Sequence, residues 1–291
     1  MPRLLLEIFS RHRGLALVGL INMVAAAVFL LLMQVDDTTV LGVNRWMKPL
    51  KFGFSTGLYL WTIAWFLPFL RVGRATTSGL GWIIAALIFF ENSLIFGQAI
   101  RGTRSHFNFD SALDGGIFGL MGILILLNSL MLVILALLFV FRAGDAPRPW
   151  IWSIRIGLFV LLLGSAQGGY IIANGSHSVG GADGGPGLPV VHWNTKIGDL
   201  RVAHLIGLHA VQVIPFVAFL LGRSRLNTKR QLTVLFAFSA GYVMLGAALF
   251  WQAIAGTPLL GSARDANPPT LIGTNVPDVM PPPEIPRILD A

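Results

Sequence analysis

Seven long apolar runs dominate the sequence, and each could form a helix of about 20 residues, the length that crosses a hydrocarbon core of roughly 30 Å. A lipid-exposed backbone must be helical or form a closed barrel, and no strand-like alternation competes with these runs. The pattern predicts an all-α, polytopic membrane protein with seven transmembrane helices in one domain over residues 14–255. The predicted spans cover residues 14–34, 53–71, 80–100, 113–141, 150–173, 201–222 and 230–255.

Two segments flank the predicted spans. Residues 1–13 place apolar and basic side chains on opposite sides of a helix, which is typical of an interfacial amphipathic helix. Residues 256–291 contain eight prolines and no helical period, so they are predicted to be an extended or disordered tail. We expect any protein partner to be contacted through this tail.

The distribution of basic residues predicts the orientation. With the N-terminus inside, the inner segments carry eleven lysines and arginines and the outer segments carry seven. Since cytoplasmic loops are enriched in these residues, the bias favours an N-in, C-out topology.

Composition supports the membrane assignment and narrows the chemistry. Charged residues make up 12% of the chain, against about 25% in soluble domains. The net charge of +8 lies mainly at the ends of apolar runs, where it suits lipid headgroups, so we expect the lipid bilayer and no nucleic acid as partner. The absence of cysteine excludes disulfides, thiolate metal sites and thioether-linked haem.

Polar side chains inside the spans gather in the outer halves. An ionisable residue in a span costs a few kcal/mol, usually faces the bundle interior and often marks a site. The pattern predicts an outward-facing polar pocket, although the same residues could instead only satisfy one another between helices. They are Glu91, Gln98, Gln167, His204, His209 and Gln212.

The segment "RWMKPLKF" (45–52) precedes the second span. Lys48 and Lys51 could face an anion at the mouth of the pocket, or they could anchor the chain beside Trp46 in the headgroup region. Pro49 predicts that a regular helix begins only after it.

The segment "RGTRSHFNFD" (101–110) follows the third span. Arg101 and Arg104 suit the negative end of a helix dipole. His106 has no such explanation and is a candidate metal ligand or proton carrier.

The segment "GDLRVAHLIGLHAVQ" (198–212) opens the sixth span. Asp199 is predicted to cap the helix. His204 and His209 lie about 140° apart on the helical wheel, which argues against one metal ion held by this helix alone. Arg201 and Gln212 lie between the two histidines on the wheel. Because no other predicted span contains a histidine, a haem would need a loop histidine such as His106 as its second ligand.

These three segments, taken together, resemble motifs of an uncharacterised family of bacterial multi-pass membrane proteins, over most of residues 40–252. The resemblance implies a bacterial inner-membrane protein and implies no particular activity.

Three functional hypotheses remain open: a membrane enzyme or redox protein that binds a metal, haem or quinone-like ligand, a carrier or sensor without chemistry, and an accessory subunit of a larger complex. In the first, the acid, base or ligand residues are Glu91, His106 and His209, and the metal ligands are His106, His204 and His209. The expected ligand-binding residues are Lys48, Lys51, Gln98, Arg101, Gln167, Arg201 and Gln212.

Overall fold

The computed structural model describes residues 2–260, which form eight α-helices, one short 3₁₀ helix at Leu67–Phe69 and two small antiparallel hairpins. The helices are α1 Pro2–Arg11, α2 Arg13–Leu32, α3 Met47–Phe66, α4 Arg74–Ile100, α5 Ala112–Phe141, α6 Arg148–Asn174, α7 Arg201–Gly222 and α8 Thr228–Ile254. The strands are β1 Thr39–Val40, β2 Val43–Asn44, β3 Ser178–Val179 and β4 Gly198–Asp199. The predicted tail begins at 256, and its residues 261–291 lie outside the described part.

Six of these helices are long and apolar enough to cross a membrane: α2, α4, α5, α6, α7 and α8. The all-helical architecture is therefore confirmed, and these six helices fit a multi-pass membrane protein. The predicted second span, 53–71, corresponds to α3, which is not among the six. Two lysines and several small polar side chains lower its hydropathy.

Helix α3 nevertheless runs along the length of the bundle, antiparallel to α2. Its first half is in contact with the loop before α7, where Lys51 Nζ donates to the carbonyl of Val191 at 3.3 Å. Its last turns contact the first turn of α2, where Trp61 Nε1 donates to the carbonyl of Ala16 at 3.2 Å. Phe54 is its only exposed residue, so α3 faces other helices rather than solvent or lipid.

The bundle has two chemically different ends. We call the end that contains the loops 33–46, 101–111 and 175–200 the site end. We call the opposite end, which contains α1 and the loops 67–73, 142–147 and 223–227, the arginine end. The aliphatic core lies towards the arginine end and includes Leu15, Leu60, Ile84, Leu135 and Ile154, which are fully buried.

Helices α6 and α7 touch through their backbones. A Cβ atom added to Gly207 would lie 2.5 Å from Gly164 Cα, and one added to Gly168 would lie 2.8 Å from a ring carbon of His204. Small residues four apart allow such close approach between membrane helices. The segment 164–168 therefore makes room for the histidine that α7 presents to α6.

Two predictions about helix starts are wrong. Helix α3 begins at Met47, and Pro49 lies in its first turn, where the missing N–H would have no intrahelical acceptor anyway. Asp199 is not the N-cap of α7, because that position is Leu200 and has no side-chain cap. Asp199 lies in β4 and accepts the backbone N–H of Arg201 at 3.0 Å.

Candidate functional site

Lys48 lies in the first turn of α3, near two carboxylates and two further cations. It interacts electrostatically with Arg201, Lys51, Glu91 and Asp183. Among residues 2–260 it has no hydrogen bond or ion pair, and its Nζ lies 5.7 Å from the centre of the Phe52 ring. A half-buried ammonium group without an acceptor is costly, so this position is suited to an added acceptor.

Glu91 supplies the carboxylate nearest the membrane interior. It lies in α4, is 5% exposed, and its Oε2 atom is buried without a hydrogen-bond donor in the described structure. The nearest cation that acts on it is Lys48, yet the two do not form an ion pair within 4.0 Å. A buried carboxylate oxygen without a donor and an ammonium group without a protein acceptor therefore lie close enough to interact electrostatically.

Arg201 forms a cationic wall beside these groups. Its guanidinium donates twice to the buried carboxylate of Asp199, at 2.9 and 2.6 Å, and once to the carbonyl of His192 at 2.7 Å. Asp199 also accepts the backbone N–H of Asn194 at 2.7 Å. Since the Asp199 carboxylate is fully used, the pair fixes the 192–201 loop over the start of α3.

The two histidines of α7 contact different helices, as their 140° separation predicts. His204 Nδ1 lies 2.7 Å from the carbonyl of Gly164 in α6, so this nitrogen carries the proton and donates. His209 Nε2 lies 3.2 Å from Ser55 Oγ in α3. Neither geometry brings the two rings onto one point.

His106 lies in a ring of aromatic side chains. The ring centres of Phe52, Phe107 and Phe118 lie 6.1, 6.5 and 5.8 Å from its own. Burial, and next the charge of Lys48, hold its pKa well below the ordinary value of 6.5. The ring is therefore neutral at pH 7 and can accept a hydrogen bond or bind a metal ion.

His177 and Asp183 add a further histidine and a carboxylate to this end of the bundle. His177 Nδ1 donates to Asp183 Oδ2 at 2.7 Å. Burial lowers the pKa of His177, although the hydrogen bond to Asp183 opposes part of that effect. Burial alone would raise the pKa of Asp183, but the His177 and Ser176 hydrogen bonds hold it well below its ordinary range.

Two of the expected ligand-binding residues belong to a different network. Gln98 is 1% exposed, and its Nε2 donates to Asp114 Oδ1 at 2.9 Å. Arg101 forms an ion pair with the same Asp114 oxygen at 2.7 Å. Gln98 and Glu91 are two turns apart on the same side of α4. The hydrogen bond to Asp114 at the start of α5, however, makes Gln98 part of the contact between α4 and α5.

Two other predicted residues carry unsatisfied oxygens. The Oε1 atoms of Gln167 and Gln212 are buried and have no donor in the described structure. Gln212 also hydrogen-bonds His209. Gln212 lies three residues after His209 on α7, and Gln167 lies on α6, where its Oε1 would be 3.5 Å from a Cβ atom added to Gly207.

Sequence reasoning placed His177 on this side but missed Ser55, Asp114 and the His177 partner Asp183. A signal for Ser55 was present, because Lys48, Lys51, Ser55 and Tyr59 recur at helical spacing and share one face of α3. No comparable signal existed for Asp114 or Asp183, which act through loops and neighbouring helices.

The predicted metal ligands are not gathered into one metal site in the described residues, where no group of three or more histidine or carboxylate side chains has a metal-binding arrangement. His106, His204 and His209 each contact separate neighbours. Comparison with protein-family models, curated proteins and solved structures finds no match to this chain.

Proposed function

We propose that this chain is a seven-span, N-in membrane protein of the bacterial inner membrane that binds a small anionic ligand at its site end. The seventh span is α3, supported by its passage along α2 from one end of the bundle to the other. The orientation is supported by the excess of arginine and lysine at the arginine end.

The observation that supports the ligand proposal is this pair of interacting groups, each of which lacks a protein hydrogen-bond partner. Lys48 has no acceptor within residues 2–260, and Glu91 Oε2 has no donor there. An acid with a second, hydrogen-donating group satisfies both, since its anionic oxygen accepts from Lys48 and its hydroxyl or N–H donates to Glu91. Lys51 adds a second positive charge near Lys48, which favours an anion there, whereas the charge of Arg201 is balanced by its ion pair with Asp199.

The metal, haem or quinone alternative has weaker support. A metal or haem would need at least two of His106, His204 and His209 on one centre, and their present contacts are with different helices and loops. A quinone would use the neutral donors and acceptors here but would leave the charge of Lys48 uncompensated. The visible spectrum and metal content of the purified protein test the haem and metal alternatives. A haem band would favour a haem protein, and stoichiometric metal would favour a metal site.

The binding experiment uses the purified full chain in detergent micelles and follows thermal unfolding. The probes are lactate, malate, glycine and inorganic phosphate, each titrated at constant ionic strength. A ligand at 100 times its Kd stabilises a protein by about 2.7 kcal/mol. We expect at least one hydroxy or amino acid to raise Tm, and the shift to disappear in Lys48→Gln.

The matched control is Lys229→Gln, an exposed lysine at the arginine end. This variant should retain the full shift. Glu91→Gln should weaken the response to the hydroxy and amino acids, because it removes the carboxylate that accepts from their hydroxyl or N–H. If none of the four probes stabilises the protein, or if Lys48→Gln retains the shift, the anion proposal is wrong.

A further inference from the structure

A cavity of about 390 Å³ lies at the arginine end, far from the site described above. It is lined by the loop before α6, by the first two turns of α6 and by one residue of α8, and includes Arg148, Ile151, Trp152, Arg155 and Leu232. Its volume is within the range of about 300–1,000 Å³ that small-molecule sites occupy. No acidic side chain is among its lining residues.

Arg155 is held rigidly in the wall of this cavity. Its Nε donates to the carbonyl of Phe139 at 2.8 Å, and its Nη2 donates to that of Val140 at 3.1 Å. Its guanidinium lies 5.1 Å from the ring centre of Trp152. These contacts use two of five N–H donors and leave the others for an anion.

Arg148 provides a second positive charge at the mouth of the cavity. It is exposed, and within residues 2–260 its side chain has no hydrogen bond or ion pair. The nearby Asp145 forms its ion pair with Arg71, so it does not neutralise Arg148. The start of α6 also lies here, and its helix dipole adds to the positive potential.

The cavity continues into an apolar, outward-facing surface. Ile151 and Leu232 form apolar walls, and Trp152 is 39% exposed. Trp152 contacts Phe236 of α8, with ring centres 5.4 Å apart, so the two helices present a shared aromatic surface. Tryptophan is typical of the level of the lipid headgroups.

We propose that this cavity binds the phosphate of an anionic phospholipid, with the acyl chains along Trp152 and Phe236. Basic pockets between membrane helices recognise such headgroups. Arg155 supplies fixed donors, Arg148 supplies a free charge, and the aromatic surface supplies the contact that a soluble phosphate compound would not use. This inference concerns the opposite end of the bundle and does not depend on the ligand proposed at the site end.

The experiment is native mass spectrometry of the delipidated full chain in detergent. Phosphatidylglycerol and phosphatidylcholine with identical acyl chains are titrated in parallel, and inorganic phosphate and glycerol phosphate are added as competitors. We expect tighter binding of phosphatidylglycerol, and about fivefold weaker binding in Arg148→Gln, the loss expected for one basic residue at a headgroup. Millimolar soluble phosphate should displace little lipid.

The matched control is Arg74→Gln, an exposed arginine at the same end that does not line the cavity. This variant should bind phosphatidylglycerol as the parent chain does. Equal binding of the two lipids, or equal loss in both arginine variants, would overturn the proposal. Displacement by inorganic phosphate at matched concentration would also overturn it and identify a site for soluble phosphate.

Discussion

Replacing Gly207 with alanine tests the contact on which the position of His204 depends. The added Cβ would lie 2.5 Å from Gly164 Cα and 3.0 Å from Gly164 N, both backbone atoms that cannot rotate away. Favourable carbon–carbon contacts lie at about 3.5–4.0 Å, so α6 and α7 must separate by about 1 Å.

That separation has two costs. Overpacking of this kind costs about 1–3 kcal/mol. The hydrogen bond of 2.7 Å between His204 and Gly164 would lengthen past its useful range, with a loss of about 0.5–1.5 kcal/mol. The higher helix propensity of alanine returns about 0.5–1 kcal/mol. The net destabilisation is about 2 kcal/mol, which corresponds to a fall in Tm of roughly 4–8 °C.

The assay is thermal unfolding of the purified protein in detergent, with Gly169→Ala as the matched control. Gly169 lies on the same helix as Gly164, and a Cβ added there has open space around it. The control should therefore be neutral or slightly stabilising. Equal Tm values for Gly207→Ala and Gly169→Ala would refute the close backbone contact.

A double-mutant cycle then tests the hydrogen bond itself. If Gly207→Ala already breaks the His204–Gly164 contact, His204→Ala should cost less in that background than in the parent chain. The expected coupling is about 0.5–1.5 kcal/mol. Strict additivity would show that His204 does not depend on this helix contact.

Three further predictions concern the site end and the core. Asp199→Asn should destabilise the protein by about 2–4 kcal/mol in denaturant or thermal unfolding, because the buried carboxylate accepts four hydrogen bonds from two residues; an unchanged midpoint would contradict this role. Burial lowers the pKa of His177, so the folded conformation of residues 176–183 should lose stability as pH falls below about 6.5. Below that pH the imidazole binds a proton more readily when this loop is locally unfolded. Hydrogen exchange of amides 176–183, corrected for intrinsic rates, should then be faster at pH 5 than at pH 7, and this difference should vanish in His177→Gln; Asp183 remains ionised throughout, since its lowered pKa matters only in stronger acid. Tyr59→Phe should lower the free energy of unfolding by about 1–3 kcal/mol, because the Tyr59 hydroxyl donates to the buried Asn128 oxygen at 3.2 Å and phenylalanine cannot. A decrease no larger than that of an exposed substitution would argue against this hydrogen bond.

Much of the architecture could be predicted from the sequence, because apolar length and the absence of strand alternation act locally along the chain. Six of the helices that this pattern predicts are long and apolar enough to span a membrane. Helix α3 was harder to delimit, since its polar face points to other helices and Pro49 is tolerated in its first turn. The prediction of its start therefore missed by six residues.

The candidate site was predicted less completely. The sequence singles out Lys48, Lys51, Glu91 and Arg201, and their electrostatic interactions place them in one region. It could not separate Gln98 from Glu91, which share a face of α4, because only the packing of α5 brings Asp114 to Gln98.

The sequence by itself determined that the chain is helical and apolar enough to span a membrane, with the polar side chains of its spans gathered towards one end. The free energy of moving a segment into the membrane depends on the residues of that segment, and the set of residues that share one helix face depends only on their spacing in the chain. The tertiary structure decided which groups are satisfied and which are not. His204 donates to the carbonyl of Gly164, Asp199 forms an ion pair with Arg201, and Lys48 has no hydrogen-bond acceptor among the described residues. Those outcomes depend on helix rotation and loop path, which no local pattern specifies.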